Sequence, residues 1–126
     1  MSLETEIRES EGLVVHTITG ELSLDEVKQA TVRLFSNPAF RPDMSILVDL
    51  REGTANALSQ QDLDDFVELT QAMDEKRGNG RSAILAARDV DFGIGRILQA
   101  LLDGSSRSLQ VFRDYKQALK WLLAPR

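Results

Sequence analysis

The sequence predicts an α/β protein: a mixed, mostly parallel sheet of about five strands, in the order β-β-α-β-α-β-α-β-α, with helices flanking it. Three observations predict this. Short β-type runs alternate with longer segments whose apolar residues recur at helical spacing. Two of the helical segments open with the same capping pattern, Ser23 with Glu26 and Ser59 with Asp62. Two strand runs, "SILVDL" and "SAILAA", are almost continuously apolar, as strands covered on both faces are.

Each element has its own warrant. "LETEIRES" and "GLVVHTITG" flank Ser10-Glu11-Gly12 and read as a hairpin. In the second strand Val14, His16 and Ile18 share one face, and Leu13, Val15 and Thr17 the other. Both faces are partly apolar, so the strand belongs inside a sheet. In "LSLDEVKQATVRLF", Ser23 and Glu26 can satisfy each other's orphan N–H groups, with Leu22 and Val27 as a hydrophobic staple. Leu24, Val27, Thr31 and Leu34 form its stripe, and Asn37-Pro38 and Arg41-Pro42 end it. After "SILVDL", Ser59 and Asp62 start a second helix stapled by Leu58 and Leu63. Its stripe is Leu63, Phe66, Val67, Thr70 and Met73. Lys76 and Arg77 suit its negative end, and Gly78 stops it. "SAILAA" leads to "DVDFGIGRILQALL", a helix with Ile94, Ile97, Leu98 and Leu101 on one face, broken by Gly104-Ser105-Ser106. "SLQVF" is the last strand. Asp114 then caps "YKQALKWLL", with Ala118, Leu119 and Leu122 inward.

The bulk properties narrow the function. A chain of 126 residues suits one domain spanning residues 1–126, with a core that needs no staples. With no cysteine there are no disulfides, thiolate metal sites or cysteine nucleophiles. The N-terminus lacks the order of a signal peptide, and no apolar run is long enough to span a membrane, so a cytoplasmic protein without membrane insertion is expected. A net charge of −5 makes nucleic acid a poor partner. The charge is uneven: "SQQDLDDFVELTQAMDEK" is acidic and "RSLQVFRDYKQALKWLLAPR" mostly basic. Solvated helix faces account for this, and complementary association patches are the sharper alternative.

Ligands of open α/β sheets bind beyond the carboxyl ends of parallel strands. Two loops leave those ends, "DLREGTANALS" and "AARDVDFGIG". A site there draws on Asp49, Arg51, Glu52, Thr54, Arg88, Asp89, Asp91 and Arg96. Gly93 and Gly95 admit either a phosphate or close helix–sheet packing. Asp89 and Asp91 at the same helix start, as cap or dipole partners, would repel an anion, and the third glycine of a dinucleotide fingerprint is missing; packing is therefore the expected role. Arg96 is expected to pair with Asp49 or Asp91, with anion capture the alternative, and Asp49 with Arg51 or Arg96. His16, the single histidine, reads as a sheet-surface residue. No catalytic set, metal set or cofactor motif emerges, and the chain is read as non-enzymatic. An enzyme using Asp49 and Arg96 is the least favoured reading.

"ITGELSLDEV", "NPAFRPDMSILVDLREG", "DFGIGRILQAL" and "VFRDYKQALKWL", in that order, resemble the SpoIIAA-like (STAS/SEC14 domain-containing) bacterial proteins over nearly the whole chain. The resemblance implies a STAS-like α/β sandwich. Relatives of this fold, the anti-sigma factor antagonists, bind proteins and are switched by phosphorylation of a serine after a central strand. The corresponding stretch here lacks their Asp-Ser-Ser/Thr-Gly motif. Thr54 and Ser59 are its nearest hydroxyls, Ser59 is placed to cap, and Asp62, Asp64 and Asp65 crowd that helix start. The SEC14 association implies an apolar ligand. Two functional expectations follow. The first is a non-catalytic interaction or regulatory domain, a homodimer with a possible protein partner. The alternative is a binder of a small apolar or anionic, lipid-like ligand at the 51–58 and 88–96 loops, contacted by Asp49, Arg51, Thr54, Asp91, Gly93, Gly95 and Arg96.

Overall fold

The computed structural model describes residues 2–125. The strands are β1 (Leu3–Arg8), β2 (Leu13–Glu21), β3 (Ser45–Thr54), β4 (Arg81–Ala86) and β5 (Ser108–Phe112). The helices are α1 (Leu24–Phe35), α2 (Gln60–Ala72), α3 (Asp74–Arg77), α4 (Asp89–Leu101) and α5 (Tyr115–Leu122). A 3-10 turn at Glu9–Glu11 joins β1 to β2, and Gly12, at φ +62°, brings the chain back into the sheet.

The sheet follows chain order, β1-β2-β3-β4-β5. β1 is antiparallel to β2, and every later pair is parallel. Each crossover from β2 to β5 therefore steps one strand in the same direction. Crossovers of one hand then put α1, α2 and α4 on the same face. α5, after the last strand, packs on the other. Side-chain alternation divides the interior accordingly. Leu13, Val15, Leu47, Ala83 and Leu85 meet Ala118 and Leu122 of α5. Ile18, Leu50 and Ile84 meet Leu63 of α2 and Leu98 of α4, and Val14 and Ile46 meet Leu34 of α1.

The local signals act as read. Ser23 and Glu26 form a complete capping box at α1, and Ser59 and Asp62 another at α2. The carboxylate of Asp114 accepts from the Gln117 N–H at 2.9 Å. Two helices depart from the sequence reading. The helix expected to run to Arg77 ends at Ala72, and the separate turn α3 follows. The break turns Arg77 inward, where it is buried, with Nη1 3.6 Å from Asp74 Oδ1. Its backbone carbonyl accepts from the buried guanidinium of Arg107, which also donates to the carbonyls of Met44 and Pro42. This tertiary clamp overrides the helix-end reading, in which Arg77 served the negative end of one continuous helix stopped by Gly78.

α4 presents a different face from the expected one. Ile97 and Leu101 are 44% and 41% exposed, while Asp91, Gly95 and Leu98 are buried. Gly95 explains the rotation. A Cβ there would stand 2.9 Å and 3.0 Å from the two Val111 methyl groups on β5. The bare backbone lets the helix settle on the sheet along the line of residues 91, 95 and 98. Gly93 faces open space, so close packing accounts for Gly95 and not for Gly93.

Candidate functional site

Between the sheet and the helices α1, α2 and α4 lies a cavity of about 160 Å³. Its walls are mainly aliphatic and aromatic: Ile18, Val48, Leu50 and Ile84 from the sheet, Val27 and Leu34 from α1, Leu63 and Phe66 from α2, Ile94 and Leu98 from α4. A cavity of roughly 150 Å³ lined by such residues stays dry and admits benzene.

A carboxylate is part of this lining. Asp91 supplies it and is fully buried. It occupies the first turn of α4, whose N-cap residue, Arg88, supplies no side-chain cap. The Asp91 side chain reaches instead to the loop after β3. Oδ1 accepts from the Thr54 hydroxyl at 2.9 Å and from the Ala55 N–H at 2.8 Å. The Thr54 oxygen in turn accepts from the Asn56 N–H at 3.0 Å. Oδ2 is buried and has no hydrogen-bond partner. The two loops picked out in the sequence do meet, and Thr54 and Asp91 are the residues that join them.

The other candidates lie elsewhere. Asp49 alternates onto the α5 side of the sheet and pairs with Arg51 at 2.8 Å, and Arg51 stacks over the Tyr115 ring at 4.7 Å. Burial raises the Asp49 pKa, but the hydrogen bonds and charge of Arg51 outweigh it and leave a net lowering. The expected ion pairs of Arg96 do not form: it is exposed on α4 and touches neither Asp49 nor Asp91. Asp49 and Arg96 thus fall on opposite sides of the sheet, which removes the geometry of an enzyme built on the two. Asp89 pairs with Arg113 at the surface and does not cap α4. Thr54 is buried, and Ser59 is engaged in the α2 capping box.

His16 corrects the surface reading. It is buried under the helical layer and lines the cavity. Its Nδ1 lies 2.8 Å from the Thr5 hydroxyl. Burial lowers its pKa to about 4. Arg77 and Arg107 line the same space and were missed as interior residues. No local pattern marks either one, because what buries them is the clamp across the α3 and 41–44 segments. For Asp91 a signal did exist: an acidic residue in the first turn of a helix that has no Ser, Thr, Asn or Asp at its N-cap. Among the described residues no group of three or more His, Cys, Asp or Glu could hold a metal ion.

Helices on both faces of a sheet in chain order, one antiparallel strand at its edge and a cavity under one helical layer define an α/β protein with the SpoIIAA-like fold. A crystal structure with that fold, an uncharacterised protein of the DUF3478 family from Shewanella loihica PV-4, matches this chain with a TM-score of 0.63. The match covers 95% of this chain and 91% of that one, at 21% identity. No family model matches the sequence, and no curated protein matches it. Among the described residues no helix is long and apolar enough to cross a membrane.

Proposed function

We propose that this protein is a non-catalytic, cytoplasmic binding domain that holds a small apolar ligand between its sheet and α1, α2 and α4. The observation that carries this reading is the cavity of about 160 Å³, aliphatic around its walls and bounded by Asp91 at the junction of the 54–55 loop and α4. An interior packed only for stability leaves few voids larger than a water molecule. The Asp49–Arg51 pair supports the α5 side and takes no part in binding. An anionic ligand is disfavoured beside Asp91 by like charge. Toluene is a suitable probe, since its size matches the space. Its addition raises the thermal unfolding midpoint in a saturable way, because a ligand bound to the folded state alone stabilises it by mass action. A midpoint that stays flat up to the solubility limit of toluene contradicts the reading.

A second reading, an interaction module acting as a homodimer, draws on the exposed apolar residues Val90, Ile97 and Leu101 along α4. Its occupant is a second copy of the chain. Sedimentation equilibrium reports a dimer that Ile97→Glu dissociates; a monomer across the micromolar range contradicts it.

A further inference from the structure

We infer that the cavity selects ligands carrying a hydrogen-bond donor, and that Asp91 Oδ2 is the atom that receives it. This rests on the ligand-binding reading above and specifies its ligand class: a small apolar body with a hydroxyl or N–H group at one end.

The inference follows from how Asp91 is satisfied. Its Oδ1 takes two donors, the Thr54 hydroxyl at 2.9 Å and the Ala55 N–H at 2.8 Å. Its Oδ2 takes none, although it is sealed from solvent. Buried polar atoms are nearly always hydrogen-bonded, and an orphan carries its full desolvation penalty. A ligand hydroxyl removes that penalty, and a hydrocarbon leaves it in place. A ligand that can only accept sets its own lone pairs against the carboxylate. Sites built around a buried polar partner discriminate strongly against analogues that leave it unpaired. The rest of the lining is mainly apolar, and its nitrogen-bearing side chains are engaged elsewhere: His16 with the Thr5 hydroxyl, Arg107 with backbone carbonyls and Arg77 beside Asp74. Thr54 is already committed to Oδ1. The selectivity therefore rests on the Asp91 carboxylate within a mainly apolar space.

Benzyl alcohol and anisole test this directly. They are isomers of closely similar volume; the first donates a hydrogen bond and the second only accepts. Toluene serves as the reference with neither group. Calorimetric titration of the wild-type chain at pH 7 is expected to show benzyl alcohol binding more tightly than anisole, despite being the more water-soluble of the two. In Asp91→Asn, Oδ1 keeps its two donors and an NH₂ group replaces Oδ2. The ratio of the two affinities is then expected to shift toward anisole by at least about tenfold, the loss of a charge-assisted hydrogen bond. Anisole binding as tightly as benzyl alcohol to the wild-type chain overturns the inference, as does an Asp91→Asn ratio equal to that of wild type. In either case toluene binding shows that the cavity reading itself survives. Failure of all three probes to bind overturns both. The wild-type comparison stands by itself if Asp91→Asn does not fold.

Discussion

Two buried polar side chains on the helical side of the sheet, Asp91 and His16, are held differently. Asp91 is shared between two loops, so it fixes the start of α4 against the end of β3. His16 sits in mid-strand with Thr5 as its side-chain partner, and burial lowers its pKa to about 4 from an ordinary 6.5. The consequence for stability has a definite sign. Between these values the unfolded chain binds a proton at His16 and the folded chain does not. Stability from this residue is fully present above pH 6.5 and is lost as the pH falls toward 4. Urea unfolding at pH 7 and pH 4.5 is expected to differ by about 2–3 kcal/mol from this group. His16→Asn, which keeps a partner for the Thr5 hydroxyl, removes that part of the difference. An unchanged pH dependence in the variant assigns the effect to other groups.

The four longer helices show which parts of an element are written locally. The capping boxes of α1 and α2 and the Asp114 cap of α5 lie within three residues of chain, and all three were legible. The inward face of α4 was not. Its residues Ile94, Ile97, Leu98 and Leu101 make a plausible apolar arc, and periodicity alone does not say which of two overlapping arcs meets the sheet. Gly95 decides it through contact with Val111, a residue on a different element. The end of α2 was illegible for the same kind of reason, since Arg77 is drawn inward by contacts from Arg107. The two α4 glycines give a paired test. Gly93→Ala adds a methyl group in open space and gains helix propensity, stabilising by up to about 1 kcal/mol. Gly95→Ala has the same propensity gain but forces a methyl group against a β-branched side chain, an overpacking cost of roughly 1–3 kcal/mol. Chemical denaturation is expected to rank Gly95→Ala below Gly93→Ala by at least about 1 kcal/mol. Equal stabilities mean that α4 does not lie on β5 as described.

Across the whole molecule the two sides of the sheet differ in character. The α5 side is a core of Leu13, Val15, Leu47 and Leu85 closed by Ala118 and Leu122, with Arg51 and Asp49 at its rim. The opposite side carries α1, α2 and α4 and holds the cavity. The order of elements, the mixed sheet and the meeting of the 51–58 and 88–96 loops were all readable from the sequence, because crossover rules turn element order into topology. The cavity was not, since interior space depends on how far helices stand from strands, and no residue spacing encodes that distance. It also changed the meaning of the candidate residues. Asp91 and Gly95 line it and Thr54 holds Asp91 from behind, whereas Asp49, Arg51, Gly93 and Arg96 do not line it.

The claim that this space is a binding site is tested most directly by a toluene titration followed through the methyl NMR signals of the two cores. Saturable shifts at Val48, Leu50, Ile84 and Leu98, with Leu13, Val15, Leu47 and Leu85 unmoved, are the predicted result. Methyl signals that stay still on both sides, or shifts confined to the α5 side, would contradict it.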